Sequence, residues 1–250
     1  MNNISVYKHM EKYLCNGKEN YVSFFRPLEL KNAKTSDPLF PDSDIERPFH
    51  DNDGYYERAF VSKIAELLNE DSVFFDIGAN YGFDTFVAAR HCNSSNIHSF
   101  EGTTSICDIL QRSNYHFASG KINIVNAFVH NKAESGFLII DNYVRETNHV
   151  PTLIKTDIEG YEIYAIPGME WVLDTYKPIL LIEFHPRLLR ERFMLDHTSI
   201  DKFYSFLLSK GYQLFFNGHH YHYRSHPLRE PDLEWRVKAP NSINYAILAK

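Results

Sequence analysis

The sequence predicts an α/β protein built on a doubly wound, mostly parallel sheet. Three observations predict it. Short apolar runs alternate with amphipathic helical segments from about residue 55 onward, the pattern of strand–helix–strand crossovers. The run Ile-Leu-Leu-Ile-Glu-Phe at 179–184 has no polar alternation until its end, as in a central parallel strand buried on both faces. A turn with two glycines, Asp76-Ile77-Gly78-Ala79-Asn80-Tyr81-Gly82, follows directly on a strand-like run. Doubly wound sheets bind ligands at such carboxyl ends.

The elements follow in order. Residues 1–50 are rich in Asn, Lys, Asp and Pro, and read as an irregular arm or lid. Residues 51–250 form the main domain. Phe60, Val61, Ile64, Leu67 and Leu68 share one helical face, which predicts a helix over 55–69. A strand at 73–75 leads into the glycine turn, and the next helix carries Phe86 and Ala89 inward. A strand at 97–100 ends at Glu101, and Thr103 or Thr104 caps the following helix. Strands are expected at 122–129 and 136–140, then at 153–157. A helix from about Gly160 is interrupted by Pro167-Gly168. After the strand at 179–184 come a helix at 199–210, a strand at 212–216, a hairpin near Asn217-Gly218 and a last strand at 244–248.

Composition narrows the function classes. The 250 residues are 44% hydrophobic and 23% charged, which is ordinary globular usage. The net charge of -6 and the lack of a long basic run argue against nucleic acid as the main partner. No apolar run approaches the length of a membrane span. The start, Met1-Asn2-Asn3-Ile4-Ser5, lacks the basic-then-apolar pattern of a secretion signal. Cys15, Cys92 and Cys107 show neither metal-site spacing nor an even disulfide set. A reducing cytoplasm is the expected location. Aromatic residues, 15% of the chain, are first of all core fillers.

Four motifs carry chemistry. In the glycine turn, Gly78 and Gly82 permit a sharp strand-to-helix reversal and close approach of a ligand to the backbone. A dinucleotide site asks for G-x-G-x-x-G, whereas position 80 is Asn and a third glycine is missing in register. An acidic Asp76 ahead of the turn suits a ligand with an ammonium group and no phosphate. Glu101, about twenty residues on at the next strand end, is placed to accept two ribose hydroxyls. In Leu153-Ile154-Lys155-Thr156-Asp157-Ile158-Glu159-Gly160-Tyr161-Glu162, two charged residues enter an otherwise apolar strand, which calls for partners or a functional role. Glu162 is assigned to a helix start favoured by the macrodipole. In Ile182-Glu183-Phe184-His185-Pro186, Glu183 and His185 are two apart on an extended segment and point to the same side. His219, His220, His222 and His226 lie in and after the predicted hairpin without Cys or acidic partners at ligand spacing, so they are read as hairpin histidines and not as a metal site.

Taken together, the glycine turn, the Phe100-Glu101 step, residues 153–162 and Ile182-Glu183-Phe184-His185 resemble the FkbM family of S-adenosylmethionine-dependent methyltransferases. The resemblance runs over about 55–250. It implies the class I methyltransferase (Rossmann-like) fold, with an antiparallel C-terminal strand. It implies that Asp76, Gly78, Asn80 and Gly82 hold the methionine end of the cofactor and Glu101 its ribose. It also implies O-methylation, commonly of a sugar in a glycan, polysaccharide or glycosylated metabolite. The chain departs from the family between Val129 and Asp141, where it is short, and the first fifty residues match nothing in it.

A sugar hydroxyl is a weak nucleophile near neutral pH and needs help to lose its proton. Two arrangements meet that need. In one, His185 is the base, oriented by Glu183, with Asp157 near the methyl donor. In the other, Asp157 and Glu183 or Glu159 hold Mg2+, which binds the acceptor oxygens and prefers hard oxygen ligands. Two other classes stay open: an NAD-dependent oxidoreductase on a similar sheet, and a catalytically silent binding module.

Overall fold

A computed structural model of the chain describes residues 4–32, 54–55, 58–184, 197–216, 219–221 and 245–249. The chain divides into two compact units, Met1–Phe128 and Val129–Lys250.

The first unit opens with a hairpin. β1 (Val6–Cys15) and β2 (Lys18–Pro27) pair antiparallel along their whole length, from Val6 opposite Pro27 to Cys15 opposite Lys18. Asn16 and Gly17 make the turn with φ of 50° and 72°, both left-handed, as tight hairpins favour. The expectation of an irregular segment is corrected over these residues. Tyr13, Cys15, Val22 and Phe24 alternate with more exposed positions and are buried, so the hairpin has an apolar face to pack. That face meets α1 (Arg58–Leu67), whose Val61, Ile64 and Ala65 are buried.

Next come β3 (Phe74–Ile77), α2 (Phe83–Ala88), β4 (Ile97–Phe100), α3 (Thr104–Phe117) and β5 (Asn123–Val125). β3, β4 and β5 are parallel, with Ile77 opposite Phe100 and His98 opposite Asn123. Every residue of β3 and β4 is buried, as strands covered on both faces must be. The strand expected at 122–129 is split, since β5 stops at Val125 and β6 (Phe128–Val129) begins beyond Asn126. Asn126 instead braces the end of β4, its side-chain amide donating to the carbonyls of Glu101 and Gly102 at 2.8 and 3.2 Å.

The second unit contains β7 (Phe137–Leu138), α4 (Ile140–Thr147), β8 (Leu153–Thr156), α5 (Glu162–Ala165), α6 (Glu170–Thr175), β9 (Ile179–Phe184), α7 (His197–Ser209), β10 (Leu214–Phe216), β11 (His219–Tyr221) and β12 (Tyr245–Ala249). Its strands are ordered β8-β9-β12-β10-β11. β8 and β9 are parallel, and β12 is antiparallel to both of its neighbours. The expected antiparallel C-terminal strand is therefore present, inserted beside β9. The expected strand at 136–140 shrinks to two residues and gives way to α4, whose Ile140 and Val144 bury one face. Pro167-Gly168 sits in a 3-10 turn between α5 and α6. The expected turn at Asn217-Gly218 lies outside the described residues.

Parallel strands alternating with helices, closed by one inserted antiparallel strand, make the class I methyltransferase fold. No described helix is long and apolar enough to cross a membrane.

Candidate functional site

In the first unit the glycine turn leaves β3 through three left-handed residues, Gly78 (φ 82°), Asn80 (φ 49°) and Gly82 (φ 96°). Asn tolerates that region better than other residues with a side chain, so the turn survives without a middle glycine. At Gly82 a side chain is excluded twice: by φ, and because a Cβ would stand 2.5 Å from Leu110 Cδ1 and 2.7 Å from Phe86 Cε2. The N–H groups of Gly78 and Ala79 both donate to the Phe100 carbonyl, at 3.0 and 3.1 Å. The loop is thus tied to the end of β4.

Asp76 is fully buried and accepts a 2.5 Å hydrogen bond from the Thr85 hydroxyl of α2. Thr85 Oγ1 lies 2.8 Å from Ser99 Oγ of β4. All three side chains are buried, so they link β3, α2 and β4 beneath the loop. The sequence showed Asp76; nothing in it pointed to Thr85 or Ser99, whose meaning depends on a contact between elements.

Glu101 follows β4 and is buried. Its Oε2 accepts the Asn80 N–H at 3.0 Å and its Oε1 accepts the Thr103 N–H at 2.7 Å. Each oxygen carries one backbone donor and keeps acceptor capacity for another. Thr103 stands at the N-cap of α3 but its side chain makes no capping bond; its N–H serves Glu101. The expected cap is corrected accordingly, and Thr104 bonds Asn126 Oδ1 at 3.0 Å. Tyr81 is half-buried, and the Arg26 guanidinium of β2 lies 5.5 Å from its ring centroid. Burial raises the Tyr81 phenol above its ordinary range, Arg26 opposes this, and Glu29 and Glu101 add to it.

In the second unit Asp157 follows β8 directly and is half-buried. Thr156 is opposite Ile182 in the parallel register of β8 and β9. Asp157 and Glu183, each one residue further, therefore come to the same end of neighbouring strands, as expected. Glu183 is buried and sits opposite Ala246 of β12. Lys155 is buried in β8. Glu159 is exposed, at φ 56°, and Gly160 follows at φ 97°. Glu162 does more than favour a helix dipole: fully buried, it accepts the Ile158 N–H at 2.9 Å and closes the loop after Asp157. His185, the expected base, lies outside the described residues, as do His222 and His226.

The expected Mg2+ set finds no support. Among the described residues no three His, Cys, Asp or Glu side chains are grouped to hold a metal ion. Glu159 is exposed while Glu183 is buried.

The architecture that carries this loop is the class I methyltransferase fold. Residues 138–214 match the family model of the methyltransferase FkbM domain, the family that the sequence motifs resemble. No curated protein matches the chain. Among solved structures, a methyltransferase FkbM from Methylobacillus flagellatus KT is 18% identical, with TM-score 0.48, over 71% of this chain and 43% of that one. The chain thus spans less than half of the Methylobacillus protein. Aeropyrum pernix fibrillarin with bound S-adenosyl-L-methionine is 11% identical, TM-score 0.47, over 91% of this chain and 89% of that one. An O-methyltransferase from Bacillus cereus in complex with SAH is 15% identical, TM-score 0.42, over 70% and 72%.

Proposed function

We propose that this chain transfers a methyl group from S-adenosylmethionine to a sugar hydroxyl of a glycan, polysaccharide or glycosylated metabolite. The observation that carries the cofactor reading is Glu101. Its carboxylate is held by two backbone N–H groups, faces the glycine turn and keeps acceptor sites for a ribose diol. The turn itself, with left-handed residues at 78, 80 and 82, brings bare backbone to the methionine end. Asp76 anchors the turn from below through Thr85.

When bound, S-adenosylmethionine supplies an electrophilic methyl group and a neutral thioether leaving group. The protein aligns the acceptor oxygen and takes up its proton. We assign that role to His185, oriented by Glu183, with Asp157 beside the acceptor. The register of β8 and β9 supports this reading by bringing Asp157 and Glu183 to one strand end. A carbohydrate acceptor, and not a nucleic acid, accords with the net charge of -6. A cytoplasmic location accords with three free, buried thiols; burial pushes those of Cys92 and Cys107 up to about 11.

Calorimetric titration with S-adenosylhomocysteine, with NAD as control, tests the cofactor. Wild type should bind the former and not the latter. Glu101→Ala should weaken binding about ten- to a hundredfold, the size expected of hydrogen bonds to a charged group. Well-folded wild type that ignores S-adenosylhomocysteine would remove the reading. Transfer of labelled methyl to a panel of oligosaccharides, abolished in His185→Ala, tests acceptor and base.

A further inference from the structure

We propose that the β1–β2 hairpin braces the glycine turn in the shape that takes the methionine end of the cofactor, with Phe24 as the positioning residue. Hairpin docking and cofactor binding then strengthen each other. The inference rests on the methyltransferase reading above. It gives a role to a segment outside both the glycine turn and the FkbM match.

Three consecutive residues of β2 reach three consecutive residues at the end of the turn. The Phe24 ring centroid lies 6.1 Å from that of Phe83, the first residue of α2. The Arg26 guanidinium, two residues on and so on the same side of the strand, lies 5.5 Å from the Tyr81 ring centroid. Phe25 reaches Gly82 through two further rings. Its centroid is 5.1 Å from that of Phe117, which is 6.1 Å from that of Phe86. Phe86 packs on Gly82, where a Cβ would stand 2.7 Å from its ring. The Phe25 N–H donates to Ser113 Oγ of α3 at 2.8 Å, which pins the strand at this point. Phe24 and Ser113 are both buried. Toward the hairpin tip, the Tyr13 hydroxyl lies 3.0 Å from His91 Nε2, just beyond α2.

The turn needs such support. Left-handed backbone at a residue with a side chain, as at Asn80, persists only where its surroundings over-determine it. A loop already held in its binding shape loses less conformational entropy when the ligand arrives. Coupling of this kind is reciprocal: the factor by which the docked hairpin raises cofactor affinity is the factor by which bound cofactor favours hairpin docking. The brace bears on residues 81–83, whereas Glu101 is held separately by the N–H groups of Asn80 and Thr103. Its effect therefore falls on ligands that carry the amino-acid end.

Two probes separate the ends of the cofactor. S-adenosylhomocysteine carries the amino-acid end, and 5′-methylthioadenosine keeps the adenine, ribose and thioether without it. Titration of wild type, Phe24→Ala and Phe24→Leu with both probes, with amide hydrogen exchange followed over residues 6–27 at matched saturation, tests the proposal. Phe24→Ala should weaken S-adenosylhomocysteine about tenfold, an ordinary size for coupling between sites, and leave 5′-methylthioadenosine nearly unchanged. Phe24→Leu, which refills most of the space, should recover most of the loss. Glu101→Ala, by contrast, should weaken both probes. In wild type, S-adenosylhomocysteine should slow exchange across the hairpin more than 5′-methylthioadenosine does. Full S-adenosylhomocysteine affinity in Phe24→Ala, an equal loss on both probes, or hairpin exchange that responds alike to both probes overturns the assignment. If Phe24→Ala lacks the far-UV spectrum of the folded chain, Ser113→Ala, which removes the acceptor of the Phe25 N–H, is read by the same outcomes. Wild type that binds neither probe overturns the methyltransferase reading itself, and is distinguishable from all of these.

Discussion

At the scale of single residues, the link Asp76–Thr85–Ser99 decides how well the glycine turn is held. A buried carboxylate tolerates burial only with good hydrogen bonds. Thr85→Val keeps the shape of the side chain and removes its donor. We expect it to lower stability by about 1.5–3 kcal/mol, the range for a hydrogen bond to a charged group, measured as a shift in urea unfolding. S-adenosylhomocysteine affinity should fall with it, because Thr85 ties the first helix after the loop to the strand before it. Thr85→Ser keeps the hydroxyl and should restore most of both. A fully stable Thr85→Val would show that Asp76 is held by its other contacts. Asp76 and Glu101 were legible in the sequence because each belongs to a local pattern of strand end, turn and spacing. Thr85 and Asn126 were not. Their partners lie nine residues and about twenty-five residues away, and a hydroxyl or an amide looks the same whether it faces water or a carboxylate.

At the scale of elements, the long sheet strands were legible and the short or polar ones were not. β9 announced itself as an unbroken apolar run. The β1–β2 hairpin carries an Asn16-Gly17 turn with left-handed φ at both positions, a strong hairpin signal, yet its strands mix Lys, Glu and Asn with aromatics and read as irregular. α4 was missed for a related reason. Only Ile140 and Val144 are buried in it, too few to set a period. Its first turn nevertheless holds a neighbour: Asp141 accepts the N–H groups of Trp171 and Val172, at 2.9 and 3.0 Å, and so caps α6. The Arg145 guanidinium lies 3.8 Å from the Trp171 ring centroid and clamps the same junction. Asp141→Ala should cost about 1–2 kcal/mol, as loss of a helix cap does, seen as a lower urea midpoint. Asp141→Asn keeps one acceptor and should cost less. Equal stability of Asp141→Ala and wild type would mean that water replaces the cap without loss.

At the scale of the whole molecule, both units carry a histidine whose pKa is lowered by burial. In the first, His91 lies 3.0 Å from the Tyr13 hydroxyl, and burial, then Arg90, lower its pKa below the ordinary histidine range. In the second, His130 is stacked between Phe137 and Tyr164, with interplanar angles of 5° and 9° and centroids 4.6 and 5.2 Å away. Its Nδ1 accepts the Lys132 N–H at 3.2 Å, which leaves the proton of the neutral ring on Nε2. Burial is again the first cause of its lowered pKa and Lys132 the second. The consequence for stability has a definite sign. The unfolded chain takes up protons at these sites as pH falls through about 6.5, while the folded chain resists. Stability is therefore full above that pH and declines below it, until the folded sites themselves protonate. Urea midpoints should drop between pH 7.5 and 5.5, a window above most carboxylate titration. His130→Gln removes one of the two sites and should flatten the drop, even if it lowers stability at pH 7.5 by opening the ring stack. If the variant and wild type lose stability in parallel across that window, the acid sensitivity lies elsewhere and the stacked imidazole is as easily charged folded as unfolded.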